Sequence, residues 1–192
     1  MVKAAGYGSG SLEVAKTLQT HACDALAVAV ADEGVELRQG GITIPILVMN
    51  PEFGSFSTIV EYNLEPEVYS FKLLEAFIKE AAREGVDHYP IHVKLDTGMH
   101  RLGFMENELD ALIERLQHQD SLRVKSVFTH LAGSDEARLD EYTFHQFELF
   151  ERMSTRIAQA FPYRILRHVL NSAGIERFPS YQYDMVRLGI GL

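Results

Sequence analysis

His92, Lys94 and Asp96 stand at alternate positions, followed by a glycine loop and Arg101. Alternate residues of a strand share a face, so this spacing predicts three titratable groups side by side, which packing does not explain. An arginine on the loop behind them can hold a carboxylate with its planar fork of donors; a solvated loop arginine is the plainer alternative. Lys3 precedes the small residues Ala4-Ala5-Gly6 and then Tyr7. A lysine amine desolvated among other cations gives up its proton more readily and becomes a nucleophile toward a carbonyl group, as in a Schiff base; the alternative is an exposed lysine. Asn171-Ser172-Ala173-Gly174 reads as a strand end turning into a helix. A serine there, with backbone N–H groups behind it, can hold an anion, and Gly189-Ile190 offers further N–H donors; an ordinary capping serine and a packing glycine fit the same residues. His130 and Arg187 fall at two more strand ends, where a histidine can orient an arginine or simply be a hydrogen-bonded core residue.

Groups so far apart in sequence act together only if elements bring their strand ends to one place. Short runs rich in Val, Ile and Leu occur at 25–30, 45–49, 67–69, 90–95, 124–129, 168–171 and 185–190, and Val2-Lys3 is a stub of one more. Their length and turn-residue borders predict buried parallel strands. Helical spacing fills the intervals. Ser11 is placed to cap Leu12, Val14, Ala15 and Leu18; Phe71, Leu74, Phe77, Ile78 and Ala81 run to a stop at Gly85; Leu109, Leu112, Ile113 and Leu116 form a third stripe; and Phe147, Phe150, Met153 and Ile157 a fourth. Strand–helix alternation with eight strand candidates predicts a (β/α)8 TIM-type barrel, whose chemistry sits at the C-terminal ends of its strands. The 192 residues make one domain but fall short of the ~250 of a usual barrel, and the abrupt ends read as cuts. The competing open doubly wound sheet lacks its Gly-x-Gly-x-x-Gly fingerprint, and no phosphate-binding Gly-Lys-Ser/Thr is present.

Composition narrows the classes. A net charge of −9 argues against nucleic acid or an anionic membrane surface as partner. No run of apolar residues is long enough to cross a membrane, and no signal peptide opens the chain. The single cysteine, Cys23, excludes an internal disulfide and suits a reducing cytoplasmic compartment. No His/Cys/Asp/Glu set has metal-ligand spacing, so no metal is expected.

Six stretches in order, 2–10, 45–48, 94–104, 128–132, 170–174 and 184–190, resemble the barrel domain of bacterial alanine racemase, a pyridoxal-phosphate enzyme of the fold-type III class. The resemblance covers nearly the whole chain. It implies a barrel domain over 1–192 with the first strand truncated and the C-terminal β-domain absent. Lys3 matches the lysine that bonds to the cofactor and serves as one of two acid/base groups. Tyr7 matches a tyrosine beside the cofactor phosphate, and Arg101 an arginine near the cofactor's phenolic oxygen and the substrate carboxylate. Lys94 matches a lysine carbamylated in many members, the carbamate steadying Arg101. His130 matches a histidine hydrogen-bonded to the pyridine-facing arginine, Arg187. Asn171 belongs to the pocket, and Ser172, Gly189 and Ile190 match phosphate-binding positions. The resemblance further implies interconversion of L- and D-alanine for peptidoglycan, and a homodimer in which a tyrosine of the partner's β-domain supplies the second acid/base group. The segment alone would then bind cofactor and turn over little. Gly6, Ser9, His100 and Leu188 depart from the usual alanine, histidine, glycine and proline. A serine racemase and a non-enzymatic pyridoxal-phosphate barrel are the alternatives, the latter a poor match over 94–104. A decarboxylase would carry an acidic residue at 187.

Overall fold

The computed structural model describes every residue except Ala4, Ala5, Tyr7, Ser9 and Leu192. Six strands alternate with helices: α1 Ser11–Thr20, β1 Leu26–Val28, α2 Ala31–Gln39, β2 Ile46–Val48, α3 Phe56–Glu61, β3 Glu65–Val68, α4 Phe71–Arg83, β4 Tyr89–Lys94, α5 Leu109–Gln117, β5 Leu122–Phe128, α6 Asp140–Gln159, β6 Leu166–His168 and α7 Ser172–Arg177. Each strand pairs in parallel with the next, so the sheet runs in sequence order, the arrangement that curls into a (β/α)8 barrel.

The two outermost strand candidates lie outside the named strands, yet both join the ring. The Val2 N–H donates to the Ala27 carbonyl at 2.8 Å. At the other end Met185 bridges to His168, and the Arg187 N–H donates to the Leu170 carbonyl at 2.9 Å. The Met1 ammonium then donates to the Leu188 carbonyl at 2.7 Å, joining the first residue to the last segment. The strand expected over 185–190 goes no further because the N–H groups of Gly189 and Gly191 donate to the Ser172 hydroxyl oxygen, at 2.9 and 3.3 Å, instead of to a neighbouring strand.

The four helices expected from the sequence pattern, α1, α4, α5 and α6, are present with one correction, and α2 and α3 join them. α4 buries Leu73, Leu74, Phe77 and Ala81, its Leu73 N–H donates to the Ser70 hydroxyl, and it closes at Gly85. There a φ of 66° permits the paired Val86-to-Ala81 and Gly85-to-Ala82 hydrogen bonds of a Schellman turn. α6 buries Phe147, Phe150, Met153 and Ile157 as expected. Each such side chain adds roughly 1.5–3 kcal/mol when removed from water. Ser11, read as a cap, is instead the first residue of α1; Gly10 precedes it with a φ of 86° and no side-chain cap.

Strand alternation divides the core in two. On β4, Ile91 and Val93 are fully buried among the apolar side chains under the helices. His92 and Lys94, on the opposite face, are also buried. They are joined there by Glu65, Glu67, Ser126, His168 and Arg187. A polar interior of this kind is costly unless every group finds a partner.

Candidate active site

A cavity of about 730 Å³ gathers Lys3, Lys94, Arg101, His130, Asn171, Ser172, Arg187, Gly189 and Ile190 on its lining. The structure therefore unites the sequence-expected residues, apart from Tyr7, which lies outside the described residues. It also adds Glu67 and Phe128.

Arg187 is the most constrained member. Its Nη2 donates to the carbonyls of Thr129 and Val169 at 2.6 and 3.2 Å, and its Nη1 lies 2.7 Å from His168 Nδ1. The guanidinium sits over the Phe128 ring, 5.1 Å from its centre. His168 stacks on the same ring, with centres 4.8 Å apart and planes 6° apart. Burial pulls the arginine down to about 10, with Glu67 pulling the other way; it remains a cation and a donor at neutral pH. The histidine bonded to it is thus His168 and not His130, which corrects the sequence reading. His168 lies on β6, which neighbours the closing segment, and its bridge to Met185 sets the two side chains together. His130 lines the cavity, and its backbone carbonyl accepts from Gln146 at 3.2 Å. Burial, reinforced by Arg187, Arg101, Lys94 and Lys3, pushes its ring down to about 3, so it stays neutral.

A line of hydrogen bonds runs inward from Arg187. His168 Nε2 is 2.9 Å from Ser126 Oγ, Ser126 Oγ is 2.6 Å from His92 Nδ1, and His92 Nε2 is 2.8 Å from Glu65 Oε2. Lys125 Nζ donates to both Glu65 oxygens, at 2.7 and 2.9 Å. Burial would raise the Glu65 carboxyl, but His92 and Lys125 together hold it below its usual value.

The three groups at 92, 94 and 96 do not act as one row. Lys94 Nζ donates to Glu67 Oε1 at 3.1 Å, and Glu67 Oε2 is buried with no partner among the described residues. Burial pushes the Glu67 carboxyl up to about 7, against the pull of Lys94, Arg187 and Arg101. Asp96 turns away because β4 ends at Lys94. Its Oδ1 accepts from the N–H groups of Gly98 and His100 at 2.9 and 3.1 Å, folding the loop that carries Arg101. Asn171 Oδ1 accepts from the Gly174 N–H at 2.9 Å and from the Ser134 hydroxyl at 2.8 Å. Asn171, rather than Ser172, is therefore the cap of α7. The Ser172 oxygen accepts from Gly189 and Gly191, which leaves its own hydrogen to donate. The Gly189 N–H, read as an anion donor, is engaged by that oxygen.

Sequence reasoning passed over Glu65, Glu67, Ser126 and His168. The period-two rule that singled out His92 and Lys94 also marks Glu65 and Glu67 on β3, and that signal was available. Cross-strand register was not: Glu67 stands opposite His92, and His92 opposite Ser126, only once the strands pair.

Over residues 1–192 the chain matches the family described as alanine racemase, N-terminal domain. It is 36% identical to alanine racemase 1 of Oceanobacillus iheyensis, over all of this chain and 51% of that protein. It is 38% identical to alanine racemase of Symbiobacterium thermophilum, over all of this chain and 51% of that one. Among solved structures it resembles alanine racemase of Clostridium difficile 630, with a TM-score of 0.91 and 37% identity over 98% of this chain and 49% of that one. The alanine racemase of Bacillus anthracis solved with bound L-Ala-P gives a TM-score of 0.87 at 31% identity, over 98% of this chain and 49% of that one. The chain thus spans about half the length of the relatives it matches.

Proposed function

The chain belongs to the alanine racemase N-terminal domain family, and from that premise we propose that its cavity binds pyridoxal 5'-phosphate and contributes half of an alanine-racemising site. One observation carries the reading: Lys3, Arg101, Ser172 and Arg187 line a single space whose volume falls in the ~300–1,000 Å³ range of small-molecule sites. The donor set fits the cofactor. An amine suits its aldehyde, a hydroxyl with an uncommitted hydrogen suits its phosphate, and a fixed guanidinium suits its ring nitrogen. When bound, the cofactor supplies the electron sink that makes an amino acid's Cα–H acidic.

The chain's residues do the rest. Arg187 can donate but not accept, so it leaves a ring nitrogen facing it unprotonated, which limits delocalisation and favours return of the proton to Cα. Lys3 moves a proton on one face of Cα. Arg101, carried by the loop that Asp96 folds, holds the substrate carboxylate. Ser172, its oxygen occupied by the Gly189 N–H and its hydrogen left to donate, holds the phosphate with Ile190, a role the resemblance also gives Tyr7; His130 and Asn171 complete the wall. Lys94 keeps its Nζ for Glu67 in this reading, because a carbamate there would forfeit that hydrogen bond. The acid/base group for the opposite face belongs to the half of the relatives that this chain does not span, in keeping with a homodimer. Alanine as substrate, D-alanine for the cell wall, and a reducing cytoplasmic setting complete the reading.

A titration with pyridoxal phosphate tests it. The chain should develop a visible absorbance band that Lys3→Ala loses, with little conversion of L- to D-alanine by the 192 residues alone. A flat titration would refute cofactor binding. Turnover matching a full-length racemase would refute the two-group account.

A further inference from the structure

The geometry points to a proton-ordered relay, Arg187–His168–Ser126–His92–Glu65, that crosses the barrel interior and positions Arg187 as a donor toward the cavity. It rests on the proposed role of Arg187, and takes that role four residues deeper. Four consecutive strands each supply one member: Glu65 from β3, His92 from β4, Ser126 from β5 and His168 from β6. All four are buried, His168 and Ser126 completely.

The direction of every hydrogen follows from one fact. A guanidinium has five N–H donors and no acceptor. The 2.7 Å contact between Arg187 Nη1 and His168 Nδ1 therefore requires a lone pair on Nδ1, and the ring proton must sit on Nε2. That Nε2–H donates to Ser126 Oγ, 2.9 Å away. The serine hydrogen then fills its own 2.6 Å contact with His92 Nδ1, and the His92 proton is left on Nε2. It donates to Glu65 Oε2 at 2.8 Å. The chain ends on a carboxylate anchored by Lys125, a group that only accepts. With burial keeping both rings neutral, a pure donor at one end and a pure acceptor at the other leave one arrangement, each imidazole protonated on Nε2.

The relay gives Arg187 a partner that cannot compete for its protons and cannot turn. A half-turn of the His168 ring would set its Cδ2–H against the arginine donor and its Cε1–H against Ser126, and a shift of its proton to Nδ1 would set N–H against N–H at the arginine. Glu65, His92, Ser126 and His168 are thus positioning residues, acting on the cavity through Arg187.

Ring nitrogen NMR of histidine-labelled chain tests this with or without cofactor. His92 and His168 should both read as neutral Nε2–H tautomers at pH 7. Ser126→Ala should give His168 a mixed tautomer population and weaken pyridoxal phosphate binding about tenfold, and Ser126→Thr, which keeps the hydroxyl, should restore both. A protonated ring or an Nδ1–H tautomer in the unaltered chain overturns the relay. So does a Ser126→Ala variant whose His168 tautomer and cofactor affinity are unchanged. Failure of the unaltered chain to bind pyridoxal phosphate, with the tautomers as stated, would instead overturn the cofactor reading and leave the relay standing.

Discussion

Arg187 meets three acceptors at once, the carbonyls of Thr129 and Val169 and the His168 ring. Its energetic role is therefore separable from its chemical one. A buried acceptor that loses its donor costs on the order of 1–3 kcal/mol. Arg187→Met keeps the bulk but strands all three, so urea unfolding should show a loss of about 3 kcal/mol or more. The Lys94–Glu67 pair behaves similarly. Removing one member of a buried pair costs about 3–5 kcal/mol because the other charge is left unpaired, and Lys94 Nζ has Glu67 as its hydrogen-bond partner. Intact-mass measurement of the chain in bicarbonate buffer should find Lys94 unmodified. A carbamate-sized mass increase on that residue would show that Glu67 does not hold the amine.

At the scale of elements, the loop between β4 and α5 does the positioning. It leaves the strand at Lys94 and returns at Phe104, whose N–H donates to the Lys94 carbonyl at 2.9 Å. Gly103 lies in that return with a φ of 134°. A Cβ there would sit 2.5 Å from the Asp96 nitrogen and 2.6 Å from the Leu95 carbonyl carbon, both backbone atoms that cannot yield. Gly103→Ala should cost about 2 kcal/mol or more in thermal unfolding and shift Arg101 away from the cavity. An alanine variant as stable as the parent would show that the turn adapts. This loop also marks the limit of what the sequence revealed. Glycines and an aspartate announced a turn, and period-two spacing placed His92 and Lys94 inward. That Asp96 caps the loop depended on where β4 stops, which register and not local pattern decides. The same holds for His168. A histidine in an apolar run was visible, but its meeting with Arg187 required the chain's last segment to lie beside β6. The long helices and the alternation of strand with helix, by contrast, followed from periodicities that local residues set on their own.

For the whole molecule, the curled parallel sheet is flanked at its edges by the segments holding Val2 and Arg187, whose N–H groups donate to Ala27 and Leu170, and it encloses ionisable groups whose protonation sets acid stability. His130, His92 and His168 are held neutral, their rings pushed below the ordinary 6.5 by burial. An unfolded chain protonates them as pH falls through that value and the native one does not. Their contribution is therefore full above 6.5 and is lost as pH falls toward 3. Glu67, raised from 4.5 to about 7, has the opposite sign: its contribution is present below 4.5 and lost as pH rises through 7. Three rings outweigh one carboxyl, so urea midpoints should fall between pH 7 and pH 5, and Glu67→Gln should steepen that fall. A midpoint that rises on acidification would contradict the burial of these histidines.

The central claim is that Lys3 and Arg187 face one cofactor-sized space. Borohydride reduction of the chain mixed with pyridoxal phosphate, followed by peptide mapping, tests it most directly. The account predicts a single pyridoxyl label on Lys3, lost in Lys3→Ala and weakened in Arg187→Met. A label spread over surface lysines, or one on Lys3 indifferent to Arg187, would contradict it.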